Sequence, residues 1–313
     1  MFQKKIFYLM FFLSFLSIYN FPCYAETLPK NIRETKQLAE QGNATAQFNM
    51  GYFYDKQKEY KKAFKWYQKA AQQNNPDAQY NLGFMYYNGY GVLENHQKAV
   101  EYFTLAAEQG LSNAQYNLGL MYNNGDGVKK DINKAIIWYT KAAEQNEVFA
   151  QYNLGLLYCL GKDIKKDYTK AHHWFLKAAE RGNMQAQFNL ATMYQNGDGT
   201  KQDYKKAFKW YQKAAMQGDA TSQYNIGVMY NNGYGIQQDY EKAYYWYMKA
   251  AEQNMALAQF NLASLYANGL GVKQDYELAK EWYGKSCKNG YQTGCDFYQN
   301  FTKKVIQNTL GIF

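Results

Sequence analysis

Catalysis or metal binding would need histidine, cysteine, serine or carboxylate side chains at short, regular spacing, and this sequence offers few. Its three histidines are His96, His172 and His173. The last two are neighbours, so on a helix they point about 100° apart, and His96 lies far from both. A helical metal site needs histidines at i and i+4 or a loop cluster, so no metal and no cofactor are expected. No serine is followed three residues later by lysine, which removes the usual serine acyl-transfer signature. The recurring carboxylates Asp131, Asp203, Asp239 and Asp275 each stand just before a helical pattern, where a cap belongs. The Gly-x-Gly turns join two helical patterns and follow no strand, so they are not phosphate loops. No catalytic residue is assigned, and a non-enzyme is expected.

The first 25 residues read as a secretory signal peptide: Lys4 and Lys5, an apolar run from Ile6 to Tyr19, then Cys23-Tyr24-Ala25. That run is shorter than the about 20 residues a membrane span needs. Phe21-Pro22 before Cys23 argue against a lipid anchor, so cleavage is expected after Ala25. Losing Lys4 and Lys5 leaves 33 basic residues against 26 acidic ones, a net charge of +7. Lysines solvating outer helix faces account for this more simply than a dedicated anionic ligand. With no further apolar span and only 3 prolines, a soluble, exported, largely helical protein is expected, periplasmic or secreted.

Such residues must be positioned by a repeat. An asparagine recurs at Asn49, Asn81, Asn117, Asn153, Asn189, Asn225 and Asn261, with steps of 36 after a first step of 32. Each period holds two helical patterns. In Ala114-Gln115-Tyr116-Asn117-Leu118-Gly119 and beyond, Ala114, Leu118, Met121 and Tyr122 share one face; this is helix A. Gly125 can end it in the left-handed region and Gly127 can reverse the chain. Asp131 then caps helix B, whose stripe is Ala135, Trp138, Tyr139, Ala142 and Ala143. Neither helix stands alone at about three turns, so each must bury its stripe on a neighbour. The expected fold is all-α: a right-handed α/α superhelical solenoid of antiparallel pairs. Trp66, Trp138, Trp174, Trp210, Trp246 and Trp282 fall at one position of helix B and are expected in the core. The tyrosine row from Tyr54 to Tyr266 also has a packing explanation, so no nucleic-acid partner is expected.

These residues resemble the Sel-1-like repeat family, an α/α solenoid relative of the tetratricopeptide repeat. Its units look like A-x-A-Q-x-x-L-G-x-x-Y-x-x-G-x-G-V followed by D-x-x-K-A-x-x-W-Y-x-K-A-A. The resemblance covers about residues 31 to 300 in seven units. It divides the chain into signal peptide 1–25, capping helix 26–42, repeats 43–291 and a C-terminal capping region 292–313. One loop departs: the second glycine, present at Gly91, Gly127, Gly199, Gly235 and Gly271, is Asp163 in the fourth unit. A tolerated left-handed Asp163 and a slightly altered loop are expected. Cys287 and Cys295, with seven residues between them, fall at the end of one helix and the start of the next. In an oxidising compartment they would form a disulfide. Paired cysteines at this spacing mark every repeat of the Helicobacter cysteine-rich branch, to which the last repeat is similar. Cys159 replaces the polar Asn123 of the unit before and is expected to be an inert, partly buried thiol.

Packing alone does not explain the asparagines. Asn81, Asn117, Asn153, Asn189, Asn225 and Asn261 each precede a core leucine or isoleucine, and so point away from the densest packing. On the concave face of a solenoid such amides could donate to and accept from an extended peptide backbone. Alternatively, each bonds a neighbouring helix and keeps the repeats in register. The leading expectation is an exported scaffold binding a peptide or protein, in the envelope or on a host. The competing one is an envelope enzyme or peptidoglycan-acting factor, because some relatives are linked to β-lactam hydrolysis.

Overall fold

The computed structural model describes residues 32–310, with side chains as far as Phe301; the signal-peptide assignment lies outside them. Every described element is an α-helix. A single helix α1 (Ile32–Glu40) precedes seven A–B pairs. The first four are α2 (Ala44–Lys56) with α3 (Tyr60–Gln72), α4 (Pro76–Asn88) with α5 (His96–Glu108), α6 (Ser112–Asn124) with α7 (Ile132–Glu144), and α8 (Val148–Leu160) with α9 (Tyr168–Glu180). Then come α10 (Met184–Asn196) with α11 (Tyr204–Met216), α12 (Ala220–Asn232) with α13 (Tyr240–Glu252), and α14 (Ala256–Asn268) with α15 (Tyr276–Lys288). Helix α16 (Gln292–Leu310) stands last. The helices group into two compact units, one ending at Lys166 and one beginning at Asp167, both an all-α repeat stack.

The local rules are visible in the caps. Asp131, Asp203, Asp239 and Asp275 each accept from a backbone N–H three residues on, at 2.9–3.0 Å. Such a cap stabilises a short helix by about 1 kcal/mol. Helix A from the second pair onward ends on a left-handed glycine, as at Gly125 with φ 79°. The second glycine of the loop is required for a different reason. A Cβ on Gly91 would lie 2.5 Å from the Tyr60 carbonyl, and one on Gly235 2.6 Å from the Tyr204 backbone. The loop thus lies against the start of the preceding helix B.

Asp163 does not adopt the left-handed conformation expected of it. Among the described residues only Lys58, Asn74, Asn146 and Asn254 do so without being glycine. With a side chain, position 163 cannot approach as the glycines do, and its carboxylate instead pairs with Lys130 at 2.9 Å. That hydrogen bond holds the Asp163 carboxyl below the usual carboxylate range.

The aromatic core also differs from expectation by one residue. The tryptophans, and Tyr102 in their place in the second repeat, are half-buried, whereas the ring after each is fully enclosed: Tyr67, Phe103, Tyr139, Phe175, Tyr211, Tyr247 and Tyr283. Successive helical residues diverge by about 100°, so only one of each pair can face helix A. That one packs on Gly51, Gly83, Gly119 or Gly227, where a Cβ would come within 2.5–2.7 Å of the ring. The tryptophans lie at the margin instead. Lys69, Lys141, Lys213 and Lys285 sit 4.0–4.6 Å over Trp66, Trp138, Trp210 and Trp282, so each of these indoles carries an ammonium, and Trp66, Trp138 and Trp282 also pack against the core.

Candidate functional site

Helix A carries two kinds of buried amide, and only one keeps the repeats together. The glutamine of each unit is nearly inaccessible at Gln47, Gln79, Gln115, Gln151, Gln187, Gln223 and Gln259. Gln115 Nε2 donates to the Ala107 carbonyl on the preceding helix B at 3.1 Å. Its Oε1 accepts from Gln145 at 2.8 Å, and Gln145 also donates to the Gly110 carbonyl at 2.8 Å. One side-chain pair therefore ties three successive helices and satisfies carbonyls that end a helix. In the second unit Gln187 with Gln217, and Gln223 with Gln253, repeat the arrangement. The sequence signal was available, since Gln stands two residues before each marker Asn, with Gln or Asn 30 residues later (26 in the shorter first repeat, at Gln73) except where Arg181 replaces it.

The marker asparagines divide into two sets. Asn81, Asn153, Asn225 and Asn261 are half-buried, whereas Asn117 is 1% and Asn189 8% exposed. Asn117 donates to the Tyr80 hydroxyl at 3.3 Å, and its Oδ1 is buried with no hydrogen-bond partner. Asn153 hydrogen-bonds the buried Tyr139 hydroxyl, and Asn261 bonds those of Tyr224 and Tyr247. Asn81 donates to its own helix at the Asp77 carbonyl. The two buried members follow Phe103 and Phe175, which lack the hydroxyl that the tyrosines present, so the amide occupies that space. Buried side chains such as Asn117 and Asn189 cannot reach a partner without leaving the core.

A second asparagine row escaped the sequence reasoning. Asn88, Asn124, Asn196, Asn232 and Asn268 lie two turns after the marker on the same helix face, directly before the capping glycine; all but Asn88 are exposed. Asn88, Asn232 and Asn268 each donate to the carbonyl four residues back, which leaves their oxygens to accept. Between the two rows stand Phe84, Leu120 and Leu156 in the first unit and Val228 in the second, all half-buried. Only α4 (Asn81, Phe84, Asn88) and α12 (Asn225, Val228, Asn232) keep all three groups accessible, since Asn117 is buried in α6, and Thr192 and Ser264 stand between the amides of α10 and α14. In the fourth unit Leu160 replaces the second amide.

Cys287 and Cys295 are joined at an S–S distance of 1.97 Å, linking the end of α15 to the start of α16. Cys159 is 2% exposed, more enclosed than expected. The histidines fall at separate places. His96 Nδ1 contacts Asp126, its Nε2 lies 3.2 Å from Glu94, and its ring stacks on Tyr87 at 4.5 Å. The cluster joins two loops. His172 packs edge-on against Tyr194, with Nε2 buried and without a hydrogen bond. Among the described residues no group of three His, Cys, Asp or Glu could hold a metal ion.

Two outcomes follow from these contacts. Gln115→Leu should lower the urea midpoint more than Asn117→Leu: the first leaves the Ala107 carbonyl unpaired, at about 1–3 kcal/mol, and costs Gln145 one of its two bonds, and the second removes one long bond. The opposite order would show that the asparagine holds the register. Burial, followed by Lys206 and His173, pushes His172 below its ordinary value of 6.5. The unfolded chain then binds more protons there, so the contribution of His172 is intact above pH 6.5 and is lost as pH falls through that value. His172→Phe, matching Phe64 and Phe208 at the same position, should flatten the pH dependence of stability between neutral pH and pH 5; an unchanged slope in denaturant titrations would refute this.

The Sel1 repeat family model matches residues 44–75, 76–111, 112–147, 148–183, 185–219, 220–255 and 256–291. Among solved structures, a protective antigen of uropathogenic Escherichia coli displaying an SLR fold is 33% identical, with a TM-score of 0.77. The similarity covers 88% of this chain and 68% of that one. A Sel1 repeat protein from Oxalobacter formigenes is 34% identical over 78% of this chain and 96% of its own, with a TM-score of 0.62. Helicobacter pylori cysteine rich protein B is 26% identical over 44% of this chain and 98% of its own, at a TM-score of 0.35. No curated protein matches significantly. Sel1 repeats generally build non-enzymatic scaffolds for protein interactions. The chain belongs to the Sel1 repeat family.

Proposed function

We propose that this protein is an exported scaffold that holds a partner polypeptide along the helix-A faces of its repeats. The observation that carries the reading is the asparagines that packing leaves accessible on the A helices, joined in α4 and α12 by a half-buried apolar group between two amides. An extended chain needs both hydrogen-bonding and apolar contacts, and these helix faces offer both. The contact set is Asn81, Asn153, Asn225 and Asn261, joined by exposed Asn124, Asn196, Asn232 and Asn268. Asn117 and Asn189 act from within the core. Export is supported by the N-terminal lysine–apolar–alanine pattern and by a relative that is a protective antigen.

The mature protein is expected in the periplasmic or extracellular fraction with Glu26 as its first residue; recovery of the uncleaved chain in the cytoplasm would sink the export reading. Mature protein immobilised on resin should capture a defined partner from envelope or host extracts. Alanine at Asn124, Asn196, Asn232 and Asn268 together should reduce that capture at least about tenfold, with unchanged helical circular dichroism. Equal capture by the folded variant would place the contact elsewhere.

A further inference from the structure

The repeats supply an internal comparison that exposes one unfilled place. In five of them a lysine on the first turn of helix B lies over the tyrosine of helix A. Lys62 covers Tyr54, Lys98 Tyr86, Lys134 Tyr122, Lys206 Tyr194 and Lys242 Tyr230, at 5.1–5.5 Å from the ring centre. The residue capping that helix often completes the seat with a carboxylate: Lys242 pairs with Asp239 at 2.9 Å, and Lys206 with Asp203 at 3.9 Å. The seventh repeat keeps the tyrosine, Tyr266, and the capping carboxylate, Asp275, but has Leu278 in place of the lysine.

A cavity of about 670 Å³ opens at this place, lined by Tyr244, Tyr266, Asp275, Tyr276, Glu277 and Leu278. A hydroxyl distinguishes it from the corresponding places in other repeats, and two carboxylates add to it. Where Phe64 and Phe208 pack edge-on against their tyrosines, Tyr244 packs likewise on Tyr266 but adds a hydroxyl 3.0 Å from the Tyr266 hydroxyl. Burial, then that hydrogen bond, pushes Tyr266 up to about 12, so its ring remains a neutral phenol. Asp275 and Glu277 provide two carboxylates against the single positive charge of Lys273, which also lines the cavity.

We propose that this cavity binds the lysine side chain of a partner polypeptide, whose ammonium takes the seat over Tyr266 that an internal lysine fills in five other repeats. The chemistry is the same as in those repeats: a cation against an aromatic face with a carboxylate beside it. Leu278 and Val272 at the wall accept the methylene stem. The inference rests on the partner-binding reading for the source of the amine, but the seat itself can be tested apart from any partner.

The test uses the mature chain and two small probes, Nα-acetyl-lysine N-methylamide and its norleucine counterpart, followed by shifts of labelled tyrosine side chains in NMR titrations. The lysine probe should perturb Tyr266 and Tyr244, and the norleucine probe should bind at least about tenfold more weakly. Leu278→Lys, which restores the residue of the other repeats and so conserves the fold, should fill the seat and abolish binding of the lysine probe. Tyr266→Leu, which removes the aromatic face, should weaken binding of the lysine probe. Equal binding of the two probes, no binding of the lysine probe, or unchanged binding by Leu278→Lys would each overturn the proposal. Partner capture by wild type that survives in Leu278→Lys would overturn the seat and leave the scaffold reading standing.

Discussion

Every A or B helix in this protein is too short to persist alone, and the structure depends on the buried glutamine that ties A helices to the B helices on either side, except in α8, where Arg181 leaves the Gln151 oxygen without a partner. Its amide reaches a carbonyl that the end of a helix would otherwise leave unpaired, while its oxygen receives the side chain that ends the next helix. Leaving either end of a buried amide unpaired costs free energy, so the bond favours one register over slips. The close contact of helix-A glycines with Tyr67, Phe103, Tyr139 and Tyr247 follows from that register. Hydrophobic burial supplies the energy and the glutamine selects the arrangement.

Once a repeat is fixed this tightly, its departures become informative. Asp163 lacks the glycine's close approach and is held by an ion pair instead. Phe103 and Phe175 lack a hydroxyl, and the asparagines that follow them sink inward. Leu278 lacks an ammonium, and a cavity lies where one would sit. The first two changes are compensated within the chain, which makes them structural variation. The third leaves an aromatic ring and carboxylates exposed to a possible visitor, and this is why function is sought there and on the helix-A strips.

Much of this was legible in advance. Period, helix ends, caps and the A–B alternation are local properties, readable because glycine, aspartate and apolar spacing act within a few residues. The terminal cysteines were legible for the same reason. Less legible was which of two adjacent aromatics is enclosed: Trp138 and Tyr139 differ by one step around a helix, and only the partner's glycine determines which faces inward. The roles of Gln115 and Asn117 were likewise open, because both are amides on one helix and their distinct partners lie on other helices.

The sequence by itself therefore determined the repeat, its helices and its family, since these rest on short-range chemistry repeated seven times. Only the tertiary structure decided which amides are internal ties, which asparagines remain accessible, and where an absent lysine leaves an open seat. Those outcomes depend on contacts between residues about one repeat apart, and no spacing within a single repeat specifies them.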